Sequence, residues 1–206
     1  MKQKFVWNLL LVVLLNLLIK PFYILGVDAE VINRVGASVY GNYFALINFS
    51  FLLNIILDLG ITNYNVKNIA QHHHLVEKHF SGIITLRFIL VFIYLLLTLF
   101  IAVFIGYNMM QLKLLFILSI NQALVAFILY MRSNLAGLHL FIQDSFVSVL
   151  DRVLLIIICS LLLWGGVTSR PFQIEWFVYT QTIAYIITLI FCAALLINKT
   201  KTFNIK

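Results

Sequence analysis

Charge is scarce in this sequence: Asp, Glu, Lys and Arg make up 10% of its 206 residues, where a soluble globular domain carries roughly a quarter. So few polar side chains cannot build a water-facing shell around a core of this size, which excludes an ordinary soluble domain. Acidic residues are scarcest, seven against fourteen Lys and Arg, and they form no paired-carboxylate or metal-binding cluster. The two cysteines, Cys159 and Cys192, lie inside long apolar runs without ligand spacing, so they read as helix-packing thiols rather than a disulfide framework or a zinc site. No helical His-Glu-x-x-His, phosphate-cradling glycine loop or nucleophile elbow occurs. The chain is therefore not expected to be an enzyme or to need a metal or cofactor.

What is present is hydrocarbon: 63% hydrophobic residues and a mean hydropathy of +1.06. A helix needs about 20 mostly apolar residues to cross a bilayer at about 1.5 Å rise each. Runs of that length occur at roughly 5–26, 41–65, 82–106, 112–132, 146–165 and 174–197. The expected fold is all-α, a polytopic membrane protein with six transmembrane helices in a single lobe over 1–206. Met1-Lys2-Gln3-Lys4 before an apolar stretch has the look of a signal peptide, yet no small-residue cleavage site follows Lys20, so the segment reads as an uncleaved first span.

The net charge of +7 is explained by where the cations fall. With a cytoplasmic N-terminus, inside positions collect Lys2, Lys4, Lys67, Lys78, Arg87, Arg132, Arg152, Lys199, Lys201 and Lys206, and outside positions hold only Arg34, Lys113 and Arg170. That bias follows the positive-inside rule and puts both termini in the cytoplasm. The cations are spread over several loops without interleaved aromatics, so no nucleic-acid partner is expected.

Polar residues within the runs recur at helical offsets, as they do when one side of a span faces a polar interior. Asn8, Asn16 and Lys20 share about 120° of arc in the first span, and Ser50, Asn54, Asp58 and Thr62 recur every fourth residue in the second. The third aligns Arg87, Tyr94 and Thr98; the fourth aligns Asn121 with Arg132 and Gln122 with Ser133. Ser145, Ser148, Asp151 and Arg152 group in the fifth, and Gln181, Tyr185, Thr188 and Cys192 in the sixth. For the amides and hydroxyls two readings stand: interhelical hydrogen bonds worth roughly 0.6 to 2 kcal/mol each, or the lining of a cavity.

Charges inside a span cost about 2.5 to 3.5 kcal/mol on insertion scales and persist where a partner, water or a function offsets that cost. Lys20 and Asp58 are the chief examples. Lys20 either snorkels to the outer interface or faces the interior, and Pro21 beside it predicts a bend. Arg87, Arg132 and Asp151-Arg152 either anchor topology or form a basic inner vestibule. The stretch His72-His73-His74, with Glu77 and His79, has metal-ligand residue types but reads as a solvated loop.

Tyr40-Gly41-Asn42-Tyr43-Phe44-Ala45-Leu46 followed by Leu57-Asp58-Leu59-Gly60-Ile61-Thr62-Asn63-Tyr64 resembles the second helix of polysaccharide flippases in the multidrug/oligosaccharidyl-lipid/polysaccharide exporter superfamily. Tyr23-Ile24-Leu25-Gly26-Val27 resembles the end of that family's first helix. Arg132-Ser133-Asn134-Leu135-Ala136-Gly137-Leu138-His139 and Ser148-Val149-Leu150-Asp151-Arg152 are similar to its connection between helices four and five, as in lipopolysaccharide repeat-unit flippases of Bacteroides-like bacteria. The resemblance implies two six-helix lobes around a cavity that opens alternately to either side of the bacterial inner membrane. Only one lobe is here, so the expectation is a truncated or half-length transporter that pairs with a second lobe, dimerises, or is inactive alone.

The resemblance and the chemistry of the residues together imply the cargo and the roles. The cargo would be an undecaprenyl-diphosphate-linked oligosaccharide, an O-antigen or capsule repeat unit, with polysaccharide assembly machinery nearby. Lys20, Arg87, Arg132 and Arg152 would meet the diphosphate, and Asn8, Asn16, Asn54, Asn121 and Gln122 the sugar. Asp58 and Asp151 would serve coupling or gating, and Pro21 as a hinge. Two alternatives stand beside this: a cation or drug antiporter of the same superfamily, disfavoured by acid-poor spans, and a membrane enzyme or assembly subunit acting on polyprenyl-linked sugars.

Overall fold

The computed structural model describes residues 2–71, 75–166 and 171–200, with side chains described at 10, 13–71, 80–166 and 171–198. Every element among them is helical: α1 (Lys2–Phe22), a π-helical segment (Tyr23–Asp28), α2 (Ala29–Val35), α3 (Ala37–Leu52), α4 (Ile55–Asp58), α5 (Ile61–Gln71), α6 (Leu75–Ile105), α7 (Met109–Gly137), α8 (Phe141–Trp164) and α9 (Ile174–Thr200). The all-α expectation is met.

Four helices are long and apolar enough to cross a membrane: Phe80–Ile105 within α6, then α7, α8 and Ile174–Asn198 within α9. The segment expected at 41–65 is not one straight span. Ala37–Leu52 and Ile55–Gln71 pass the same test only as a pair bent by 42°, which makes a fifth crossing if the pair is counted as one. The bend falls at Leu53–Asn54, between the two members of the pair; a second interruption follows inside the latter member, where Leu59 and Gly60 have φ of 44° and 81°, left-handed values at which a right-handed helix cannot continue. The expected first span, 5–26, falls on α1 and the π segment, and the side chain of Asn8 lies outside the described ones, as do His72–His74, Glu77, His79 and Arg170.

Pro21 does not end the first helix. The chain stays helical through it and widens into the π segment; loosened hydrogen-bond registers of this kind re-pair backbone groups that a proline upsets. The connector expected from Asp28 to Tyr40 is thereby mostly helical, interrupted at Gly36, whose φ of 86° separates α2 from α3. The sharpest connection is the hairpin from α6 to α7: Gly106 turns left-handed, and Asn108 starts α7 with a capping box, accepting from Gln111 N at 2.9 Å while its own N–H donates to the Gln111 side chain at 3.0 Å.

α7 is the hub, packed against α3, α5, α6, α8 and α9. Hydropathy and burial run in opposite directions: α6 is the most apolar candidate span and the least buried, α7 among the least apolar and the most buried. That inversion is expected where lipid replaces water outside, because the outward face needs hydrocarbon and the seams between helices take polar groups. Ser119, Asn121, Gln122, Ser133 and Asn134 of α7 are all buried. The tightest approach is at Gly137, where an added Cβ would lie 2.7 Å from the Ile69 Cβ on α5.

Candidate functional site

Two arginines organise the polar interior. Arg87, on α6, is 1% exposed, yet it lies where the broken helix leaves backbone groups unpaired. Its Nη1 donates to the carbonyls of Leu57 at 3.3 Å and Ala126 at 3.1 Å, and Nη2 donates to Asp58 Oδ1 at 2.7 Å and Thr62 Oγ1 at 2.9 Å. Asp58 Oδ1 also accepts from Thr62 N at 3.2 Å and from the Thr62 hydroxyl. The Tyr130 ring stacks 4.9 Å from the guanidinium carbon, a contact that stabilises a desolvated cation. One charge thus joins α4, α5, α6 and α7, and the sequence-predicted pair of Arg87 and Asp58 meets each other rather than two separate ligand groups.

Arg152 is placed differently. α8 begins at Phe141, earlier than the span expected from the sequence, so Asp151 and Arg152 lie about three turns, roughly 16 Å, into the helix rather than near its end. The Arg152 side chain is 34% exposed, and its one carboxylate ion pair among the described residues is Asp151 at 3.6 Å, too long for a hydrogen bond. Tyrosines surround it as well. The Tyr23 ring lies 5.2 Å from the guanidinium carbon, and the Tyr185 hydroxyl is within hydrogen-bonding reach. Tyr43, which accepts from Gln181 Nε2 at 2.7 Å, and Asp28, within hydrogen-bonding reach of Tyr40, extend the cluster.

Four elements build this site. The π segment contributes Tyr23 and Asp28, α3 contributes Tyr40 and Tyr43, α8 contributes Asp151 and Arg152, and α9 contributes Gln181 and Tyr185. Asn16 lies seven residues before Tyr23 on α1, about 20° away around the helix, so it shares that face. Such a cage can hold an anion on the half-exposed guanidinium and stack planar or pyranose-like faces on its phenol rings.

The remaining predicted residues divide. Lys20 and Pro21 are exposed on the open side of α1, beside exposed Leu17, Leu18 and Phe22, and outside the Arg152 cluster. Arg132 pairs with Asp144 at 2.7 Å, a loop-level clamp between α7 and α8. Asn121 is spent between helices, donating to Val178 O at 3.4 Å and accepting from Thr182 Oγ1 at 2.8 Å. Gln122 is buried on α7, and Asn54 lies half-buried in the break.

Sequence reasoning missed Asp28, which was counted into a connector, and the joint role of Tyr23, Tyr43 and Tyr185. Their signal was four-residue spacing from Tyr185 to Gln181 and the run of tyrosines from Tyr23 to Tyr43, which no charge marked as interior. Asn65, which donates to Ser133 Oγ at 2.8 Å, was also missed. Among the described residues, no group of three or more His, Cys, Asp or Glu is placed to hold a metal ion. No family model, curated protein or solved structure matches this chain.

Proposed function

We propose that this protein is a six-crossing lobe of a transporter that carries a polyprenyl-diphosphate-linked oligosaccharide, an O-antigen or capsule repeat unit, across the bacterial cytoplasmic membrane by alternating access. α1 with the π segment is the first crossing and the bent α3–α5 pair the second, with both termini cytoplasmic. The observation that carries this reading is the half-exposed Arg152 in its tyrosine cage, about mid-way along α8. A cation at that depth costs energy unless it serves a partner, and its internal ion pair is weak. A diphosphate travelling through the lobe would supply the missing anion, and the phenols would receive sugar faces while the polyprenyl tail stays in lipid.

The open side of α1, with Leu17, Lys20, Phe22 and Leu25 exposed, is where a second lobe or a second copy would close the path. The test is transbilayer movement of a fluorescent polyprenyl-diphosphate oligosaccharide in proteoliposomes, with the chain alone and with its partner lobe. Movement that needs Arg152 and stops in Arg152→Gln supports the reading. Movement indifferent to Arg152, or none in either preparation, rejects it.

One observation favours a second reading, a cation antiporter of the same superfamily: Asp28 sits half-buried in the same cluster, which adds the acid that the spans otherwise lack. Proton- or sodium-driven efflux of an organic cation, abolished by Asp28→Asn and retained in Arg152→Gln, would select it.

A further inference from the structure

We infer that a cleft at the end of the bundle away from the Arg132–Asp144 clamp is a binding site for a neutral, hydroxyl-rich ring, a single sugar residue. The cleft has a volume of about 200 Å³ and lies where three elements meet: Asn42 and Leu46 of α3, Asn108 and Gln111 at the head of α7, and Ile174 and Glu175 at the start of α9. Leu46 and Ile174 are buried and make an apolar floor, whereas Asn42 and Asn108 are exposed. Pockets for drug-sized ligands run to about 300–1,000 Å³, so this one has room for one ring. Its walls are held in place by packing behind them. Tyr107, just before α7, meets Phe49 of α3 edge-on with ring centroids 5.7 Å apart, and Tyr43 of α3 meets Phe177 of α9 in the same way at 5.6 Å. A site assembled in advance loses less free energy on binding.

The donors and acceptors decide what the cleft can hold. In the capping box, Asn108 Oδ1 accepts from Gln111 N and Gln111 Oε1 accepts from Asn108 N. Only an amide oxygen can accept from a backbone N–H, so both oxygens are engaged and both amide NH2 groups remain as donors. Among the described residues, the side chains of Asn42 and Glu175 have no hydrogen-bond or ion-pair partner. Glu175 lies in the first turn of α9, where the helix dipole favours a carboxylate, so it keeps its charge without a cation and offers its oxygens as acceptors. A cation would meet NH2 groups where it needs oxygens, and an anion would meet the Glu175 carboxylate. Hydroxyl groups, each a donor and an acceptor, match two amide donors, one carboxylate and the two-way Asn42 amide, and the apolar face of a pyranose matches the floor. The cleft shares no lining residue with the Arg152 cluster, and in the proposed topology it is at the outer mouth of the lobe. The inference stands whether or not Arg152 meets a diphosphate.

The experiment is saturation-transfer NMR on the full chain in nanodiscs of deuterated lipid, with the methyl glycosides of glucose, galactose and N-acetylglucosamine as probes and choline and inorganic phosphate beside them. Transfer to at least one glycoside is expected, and to neither ion. Glu175→Ala removes a charged hydrogen-bond acceptor and should weaken glycoside binding about tenfold. Val39→Trp fills the cleft from an exposed position on its lining without touching the polar set, and should abolish binding. Arg152→Gln should leave it unchanged. Absence of transfer from every glycoside overturns the inference, and so does equal transfer in wild type, Glu175→Ala and Val39→Trp. Choline binding that is lost in Glu175→Ala, with none from the glycosides, makes this a cation site and overturns it too. Glycoside binding lost in Arg152→Gln and kept in Val39→Trp places the sugar in the tyrosine cage, which overturns the cleft while leaving the transport reading intact. If Glu175→Ala does not fold, Val39→Trp decides alone.

Discussion

Arg87 and Arg152 are both cations within apolar helices, and both stack on a tyrosine, yet they are employed in opposite ways. Arg87 is sealed, with two carbonyls, a carboxylate and a hydroxyl on its two terminal nitrogens. Arg152 is a third exposed and leans on aromatic rings and a loose ion pair with its own neighbour in sequence. A buried charge held on both terminal nitrogens by internal partners is part of the architecture, and removing it leaves those partners short of a donor. A half-buried charge held by aromatic rings and a loose ion pair is free to change partners. The contrast separates residues that hold the lobe together from residues that can meet a ligand, a distinction that charge and depth alone do not make.

The contrast breaks most visibly at Arg87. Arg87→Ala should cost about 3–5 kcal/mol, because Asp58 would lose its cationic partner and the Leu57 and Ala126 carbonyls their side-chain donor; a fall in unfolding temperature and in folded yield is the readout. Arg87→Lys should recover only part of this, since a single ammonium cannot span the forked set of acceptors. Second in size is Gly137→Ala, expected to cost about 1–3 kcal/mol by forcing α5 off α7, measured as denaturation in mixed micelles. Arg132→Ala should cost about 1 kcal/mol or less, because the Arg132–Asp144 pair is only partly buried, at 25% and 22% exposure. Arg152→Gln should change stability least, by under about 1 kcal/mol, while abolishing transport. A variant of Arg152 as destabilising as one of Arg87 would erase the distinction.

The helices were largely legible because their signal is simple: length of apolar run against bilayer thickness. The stripes were legible too. Arg87, Tyr94 and Thr98 share an inward face of α6, and Gln181, Tyr185, Thr188 and Cys192 one of α9, and all are buried. What lay across from each stripe was not legible, since periodicity reports that a side faces inward and says nothing of what it faces. Asn121 and Arg152 look alike by that measure, but one is consumed by α9 and the other is half open. The bend at Leu53–Asn54 and the left-handed pair Leu59–Gly60 were hidden because Ser50, Asn54, Asp58 and Thr62 keep a helical spacing across both; Gly60 within an apolar run was the one mark of an interruption. Asp28 was assigned to a loop because a charge usually ends a span, whereas here the π segment carries the helix past it.

The most direct test is binding of a polyprenyl diphosphate to the lobe in nanodiscs, measured as an equilibrium constant for wild type, Arg152→Gln and Thr62→Val. If Arg152 is the open cation, its loss weakens binding by about tenfold or more, and Thr62→Val leaves the affinity within about twofold. Equal affinity in wild type and Arg152→Gln would contradict the account at its centre.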